Sequence, residues 1–200
     1  MKKYAFIDVQ NTETTTLKLL GFPVDWQKLY TYLKEKWKCE EVFFYSGIND
    51  GDEATKKEFE SLSQSGCIVR TKTVFAYKKQ DKKVYINCVA CGEENTVRIG
   101  MGYNKKSNCD VDLTVDAMDI AGPDTQFLIF SGDGDFEYLI RKVIEKGTKV
   151  SIVSSNAGIR KPGINTKRLS TKLKTLLDQN LGVVNWIDIN SWKMRIQRTN

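Results

Sequence analysis

Short apolar runs alternate along most of this chain with longer segments whose apolar residues recur at helical spacing, and that alternation constrains the fold more than any other feature. Tyr4 to Val9 is a run suited to a buried parallel strand, and it closes on Asp8-Val9-Gln10-Asn11. A polar, Thr-rich loop follows. Pro23 and Asp25 then announce a helix over 26–37, with Leu29, Tyr30, Leu33 and Trp37 on one face. The second strand reads as 41–46, a charged helix as 52–65 stopped by Gly66, and the third strand as 67–75. After an interruption come a helix over 110–121, a strand over 126–131, a helix over 135–146 and a strand over 149–154. This order predicts an α/β fold, a doubly wound, mostly parallel sheet with right-handed crossovers and helices on both faces.

The interruption runs from about residue 76 to 109. Tyr77 to Ile86 reads as a hairpin with Gln80-Asp81-Lys82 at its tip, followed by Cys88-Val89-Ala90-Cys91-Gly92. It is expected to be an inserted lobe in a domain spanning 1–155. Residues 156–200 read as a basic helix over 165–179, a last strand over 183–187 and a short tail, packed on the same domain.

The chain contains no histidine. That excludes Ser-His-Asp and Cys-His catalysis and any His-ligated metal, leaving carboxylates, Lys, Tyr, Cys, or a metal held by oxygen or sulfur. No Gly-rich phosphate loop of Walker or dinucleotide type is present. Five cysteines, with no signal peptide ahead of them and no apolar stretch near bilayer length, point to a reducing, cytoplasmic setting without a membrane.

The aspartates are placed informatively. Asp8 ends the first strand, Asp133 and Asp135 follow a later one in Ser131-Gly132-Asp133-Gly134-Asp135, and Asp110 opens the helix before it. Ligands of open α/β sheets bind beyond the carboxyl ends of the strands, where strand order reverses. If the first and fourth strands are neighbours there, these acids converge. Unit charges ~4 Å apart repel by about 4 kcal/mol at an effective dielectric near 20, so such a cluster binds a cation or holds protons. Hard oxygen ligands suit Mg²⁺ or Mn²⁺, which can activate water against a phosphodiester. Each acid also has a plainer reading: Asp135 and Asp110 as helix N-caps, Asp133 as a turn residue, and Asp112, Asp116 and Asp119 as a solvated helix face.

Three blocks carry a resemblance: Phe6-Ile7-Asp8-Val9-Gln10-Asn11, Asn108-Cys109-Asp110-Val111-Asp112-Leu113-Thr114-Val115-Asp116-Ala117-Met118 and Phe130-Ser131-Gly132-Asp133-Gly134-Asp135-Phe136. In order and spacing the chain resembles the NYN domain, more narrowly its LabA-like branch within the PIN-like nuclease superfamily, over roughly residues 3–155. The resemblance implies a PIN-like three-layer α/β/α sandwich and endonucleolytic cleavage of RNA with Mg²⁺ or Mn²⁺. By motif position it assigns Asp8, Asp110, Asp133 and Asp135 as metal-site acids. Asn11 and Ser131 would orient ligands or substrate, and Asp116 would stand behind the metal ligands.

Cys88-x-x-Cys91-Gly92 has the shape of a zinc knuckle, which needs four ligands. A Zn²⁺ site from Cys67, Cys88, Cys91 and Cys109, a degenerate knuckle without metal, and simple reduced cysteines stand as alternatives.

The net charge is +6. From residue 156 onward there are nine Lys or Arg against two Asp, with Arg160, Lys161, Lys167 and Arg168 in the dense part. Arg70, Lys72, Lys78, Lys79, Lys82 and Lys83 form a second group. Flanking an acidic pocket, both would hold phosphates of single-stranded or structured RNA, and Tyr77, Tyr85 and Tyr103 would stack on bases. A non-catalytic RNA- or protein-binding module and a small-molecule phosphohydrolase stand as alternatives, and a homodimer is left open.

Overall fold

The computed structural model describes residues 1–107, 109–161 and 164–199, with side chains left aside at 104–106, 159–161 and 164–166. The chain begins with β1 (Lys2–Asp8), continues as α1 (Val9–Glu13) and a π-helical stretch (Thr14–Leu19), and then forms α2 (Trp26–Glu35). Next come β2 (Cys39–Ile48), α3 (Glu53–Gln64) and β3 (Ile68–Thr73). The insertion holds β4 (Phe75–Lys78), β5 (Lys82–Asn87), β6 (Glu94–Ile99) and β7 (Tyr103–Lys106). Then α4 (Asp110–Ile120), β8 (Thr125–Phe130), α5 (Glu137–Glu145) and β9 (Lys149–Ser154) follow. The chain closes with β10 (Gly158–Lys161), β11 (Ile164–Lys167), α6 (Thr171–Gln179), β12 (Val184–Asp188) and α7 (Lys193–Ile196).

Six strands form one sheet in the order β12-β9-β8-β1-β2-β3, and every neighbouring pair is parallel. Alternation along the strands builds two cores. Ala5, Ile7, Phe44, Leu128 and Phe130 face α2, α3 and α7, whereas Phe6, Phe43, Phe127 and Ile129 face α4, α5 and α6. The result is a three-layer α/β/α sandwich. Strand order reverses at β1, which lies between β2 and β8, so the neighbour relationship required for the acids to converge is present.

Local chemistry sets the helix starts. Asp25 accepts from the Lys28 amide at 3.0 Å, Asp52 from the Thr55 amide at 3.1 Å and Ser170 Oγ from the Leu173 amide at 3.2 Å. Gly66, at φ +98°, takes the left-handed conformation that ends α3.

Three expectations are corrected. The Thr-rich segment is helical: Thr14, Thr15 and Thr16 hydroxyls donate to the carbonyls of Gln10, Asn11 and Thr12 at 2.7, 2.8 and 3.0 Å. The basic helix begins at Thr171, because Ile164–Lys167 pairs with Gly158–Lys161 as an antiparallel hairpin. The insertion is one long ribbon with its turn at 88–93, not at Gln80-Asp81-Lys82. β4 pairs with β7 and β5 with β6 in a single register, from Phe75↔Lys106 out to Asn87↔Glu94. The Lys79 amide donates to the Gly102 carbonyl at 2.8 Å between the two paired segments, and the Cys88 amide to the Glu93 carbonyl at 2.8 Å at the tip.

The segment after residue 155 is built into the body. β12 pairs with β9, and Leu173 and Leu176 of α6 are buried in the second core. Among the described residues, no helix is long and apolar enough to cross a membrane.

Candidate active site

The carboxyl ends of β1, β2 and β8 open into a cleft of about 330 Å³ lined by Asp8, Asp110, Asp133, Tyr45 and Arg168, among others. Asp8 is delivered by β1 at the reversal of strand order, beside Tyr45 of β2. Its Oδ1 accepts the Asn11 amide at 3.0 Å, capping α1, and its Oδ2 accepts the Ser131 hydroxyl at 3.2 Å. The Asn11 side-chain oxygen accepts the Gly132 amide at 3.1 Å, and Ser131 Oγ accepts the Asp133 amide at 3.2 Å. Asp8, Asn11 and Ser131 therefore stitch the β1–α1 junction to the loop after β8.

That loop is shaped by contact with the next one. A Cβ on Gly132 would stand 2.3 Å from the Arg168 carbonyl oxygen and 2.6 Å from Ser154 Oγ. The Ser170 amide donates to the Gly132 carbonyl at 3.0 Å, locking the 155–170 connection against the loop. Arg168 reaches the cleft wall from there, its Nε donating to Thr15 Oγ1 at 3.2 Å.

Burial pushes the Asp8 carboxyl up to about 6, and the charges of Asp110 and Asp133 push in the same direction against the Asn11 and Ser131 hydrogen bonds. Asp110 is also raised, first by partial desolvation and then by Asp133 and Asp135, with Lys72 opposing. In both acids burial is the larger cause and the like charges across the cleft add to it.

The four acids are not equivalent. Asp8, Asp110 and Asp133 line the cleft, while Asp135 faces a shallower depression shared with Asp110, Val111 and Phe136. Nor do the capping alternatives fall where expected. Asp110 is the first residue of α4, whose N-cap Cys109 gives no side-chain capping hydrogen bond to the helix, and Asp133 rather than Asp135 caps the turn before α5, accepting the Asp135 amide at 3.0 Å.

Asp116 stands behind the wall. Its carboxylate accepts the Tyr45 hydroxyl at 2.9 Å and both Nε and Nη2 of Arg70 at 3.2 and 3.3 Å. It holds Tyr45, whose hydroxyl is pushed well above the ordinary range by burial and then by the bond to this carboxylate. Lys72 similarly pairs with Asp112 at 2.9 Å. Arg70 and Lys72 thus serve neighbouring carboxylates. Tyr45, Gln10, Thr14 and Ser107 line the cleft without having been singled out. Tyr45 was discoverable, since it lies on the strand that flanks β1, opposite Asp8.

Other expected residues lie elsewhere. Lys167 borders a separate depression with Leu169, Ser170 and Thr171. Lys78 and Lys79 are exposed on the ribbon, and the side chains of Arg160 and Lys161, like Asn108 as a whole, lie outside the described residues. The four-cysteine zinc arrangement is not assembled: Cys67 is buried in one core, Cys109 in the other across the sheet, and Cys88 and Cys91 sit at the ribbon tip. Cys109, on the cleft wall, donates to the Ser46 carbonyl at 3.5 Å, and burial raises its thiol, so it is protonated.

Among the described residues, no three carboxylates or thiols stand close enough to hold one metal ion by themselves. Mg²⁺ keeps several waters and needs only one or two carboxylates, a demand that Asp8, Asp110 and Asp133 around an open cleft satisfy.

The NYN domain family model matches residues 4–172. The low amplitude and bright protein LabA of Synechococcus elongatus is 22% identical over 182 residues, covering 90% of this chain and 79% of that protein. In fold, a crystal structure of a Vibrio parahaemolyticus protein of unknown function superposes with a TM-score of 0.57 at 21% identity, covering 94% of this chain and 92% of the other.

Proposed function

We propose a function from one premise: the chain belongs to the NYN domain family, whose fold is of the PIN-like nuclease type. The cleft is the site of an endonuclease that hydrolyses phosphodiester bonds, with RNA as substrate. One observation carries this reading. Three carboxylates line one cleft where strand order reverses, and burial together with Asp110 and Asp133 raises Asp8 to about 6. A carboxylate held in that state has its charge compensated by a cation or a proton.

Asp8, Asp110 and Asp133 would hold Mg²⁺ or Mn²⁺, which when bound supplies an activated water and stabilises the leaving oxygen. The chain's own groups set the geometry. Asn11 and Ser131 fix the Asp8 carboxylate through the bonds at its two oxygens. The Asp133 amide is held by Ser131 Oγ, and Asp133 lines the cleft. Arg168, anchored at Nε by Thr15, offers its remaining N–H groups to a phosphate oxygen. Tyr45, fixed by Asp116, forms part of the cleft wall.

The test is cleavage of an end-labelled single-stranded RNA with Mn²⁺, Mg²⁺ or EDTA, comparing wild type with Asp133→Asn. Metal-dependent cutting that is lost in the variant is expected. Cutting in EDTA, or undiminished cutting by Asp133→Asn, would overturn the assignment. The exposed basic ribbon favours a second reading, a binding module without catalysis. Salt-sensitive RNA binding without cleavage under every metal condition would select it.

A further inference from the structure

The ribbon is the part of the molecule that the active-site reading leaves unused. Seven of its 32 residues are Lys or Arg and three are Asp or Glu, so it carries much of the chain's net positive charge. Strand alternation in the common register divides it into two faces. Val84, Ile86, Val97, Ile99 and Met101 share one with Lys78, Lys82 and Tyr103, so Tyr103 lies apart from the other two tyrosines. Phe75, Tyr77, Lys79, Lys83, Tyr85 and Arg98 share the other, together with Asp81. On that second face Phe75, Tyr77 and Tyr85 are 61%, 60% and 63% exposed. Lys83 stands directly opposite Arg98, and like charges in that relation destabilise a ribbon unless an anion lies over them. Aromatic rings left in solvent on the same face as positive charge suit the bases and phosphates of a single strand.

The base of the ribbon joins the cleft. The Val74 amide donates to the Ile48 carbonyl at 2.9 Å, just before β4. On the return side, Ser107 packs so tightly on Gly47 that a Cβ there would lie 1.8 Å from Ser107 Oγ. Ser107, Cys109 and Asp110, immediately after β7, all line the cleft.

We propose that the aromatic and basic face of the ribbon is a track for a single-stranded polynucleotide, along which the strand is led into the cleft. The destination of the strand rests on the nuclease reading; the binding surface does not. RNA and DNA share the stacking and phosphate chemistry invoked, so the experiment uses both.

The measurement is fluorescence anisotropy of labelled 20-mers of rU and dT in EDTA, with the full chain carrying Asp133→Asn so that no cleavage intervenes. Tyr77→Ala with Tyr85→Ala is expected to weaken binding by at least ~10-fold, and Phe at both positions to restore it. Lys83→Ala with Arg98→Ala is expected to lower the slope of log affinity against log salt by about 1.4. Far-UV circular dichroism and thermal unfolding confirm that each variant is folded, and a misfolded alanine pair is replaced by Tyr77→Leu with Tyr85→Leu, which keeps bulk without the ring. Equal affinity in the folded aromatic variant, or an unchanged salt slope, overturns the track. So does a ribbon variant that binds as wild type but halves the mass seen by light scattering, which would make the ribbon a contact between copies. Ribbon-dependent binding with no cleavage by the wild type would sink the nuclease reading and leave the track standing.

Discussion

Ser131 Oγ donates to Asp8 Oδ2 at 3.2 Å across 123 positions of sequence, and the same oxygen accepts the Asp133 amide. One buried hydroxyl therefore ties the Asp8 carboxylate at the end of β1 to the Asp133 backbone in the loop after β8. It also lowers the Asp8 carboxyl against the burial that raises it.

Ser131→Ala should consequently raise Asp8 further and leave the Asp133 amide without its acceptor. The acidic limb of the cleavage profile is expected to move to higher pH, with folding stability reduced by about 1 kcal/mol. A pH–rate series and urea denaturation of the variant check both. An acidic limb at the wild-type position would separate Ser131 from Asp8 ionisation.

Asp8 links stability to pH in a direction opposite to most carboxylates. Its folded value is about 6 against an ordinary 3.8, so the folded state retains the proton that the unfolded chain releases. The contribution is fully present below about pH 4 and is lost as pH rises through 6. Asp8→Asn keeps the cap on α1, since Asn caps as well as Asp, and removes the penalty. In EDTA the variant is expected to match wild type near pH 4 and to exceed it by roughly 1–3 kcal/mol at pH 7. Urea midpoints at the two values measure this, and a variant less stable than wild type at pH 7 would refute it.

Gly132 tests the packing that brings Arg168 to the cleft. Its missing Cβ is replaced in space by the Arg168 carbonyl and Ser154 Oγ, and the nearer of these is backbone. Gly132→Ala is expected to cost about 1–3 kcal/mol and to reduce cleavage by displacing the 155–170 connection. Gly122, around whose virtual Cβ nothing lies within 4 Å, is the control, and Gly122→Ala should change neither. Equal melting temperatures for the two variants would mean the connection yields without loss.

How far the sequence disclosed this arrangement depends on the kind of signal. The sheet was legible because a parallel strand covered on both faces must be a continuous apolar run, as Ala5 to Ile7 and Phe127 to Phe130 are. Asp8 stood out because a charge ends such a run. The helix after Asp8 was hidden: threonine is a poor helix former, and only the bonds from Thr14, Thr15 and Thr16 to carbonyls four residues back reveal why it is tolerated there. The ribbon turn was misplaced because Gln80-Asp81-Lys82 and Cys88-Val89-Ala90-Cys91 both look like breaks, and register alone distinguishes them. Tyr45 was missed because its role comes from Asp116, 71 residues away.

The division between Asp133 and Asp135 gives the sharpest check on the site. Sequence position treats them alike, but Asp133 lines the cleft and Asp135 lies beyond Asp110 in the shallower depression. Asp135 nevertheless raises Asp110 through its charge. Asp133→Asn is expected to reduce metal-dependent cleavage by more than ~100-fold, and Asp135→Asn by no more than about 10-fold. The two should also differ in pH dependence. Relieved of Asp135, Asp110 ionises at lower pH, so the residual activity of Asp135→Asn should extend further into the acid range than that of wild type. Side-by-side pH–rate profiles with Mn²⁺ decide the matter. Equal losses in the two variants, with no acid extension for Asp135→Asn, would place Asp135 among the groups that hold the metal and redraw the cleft around α4.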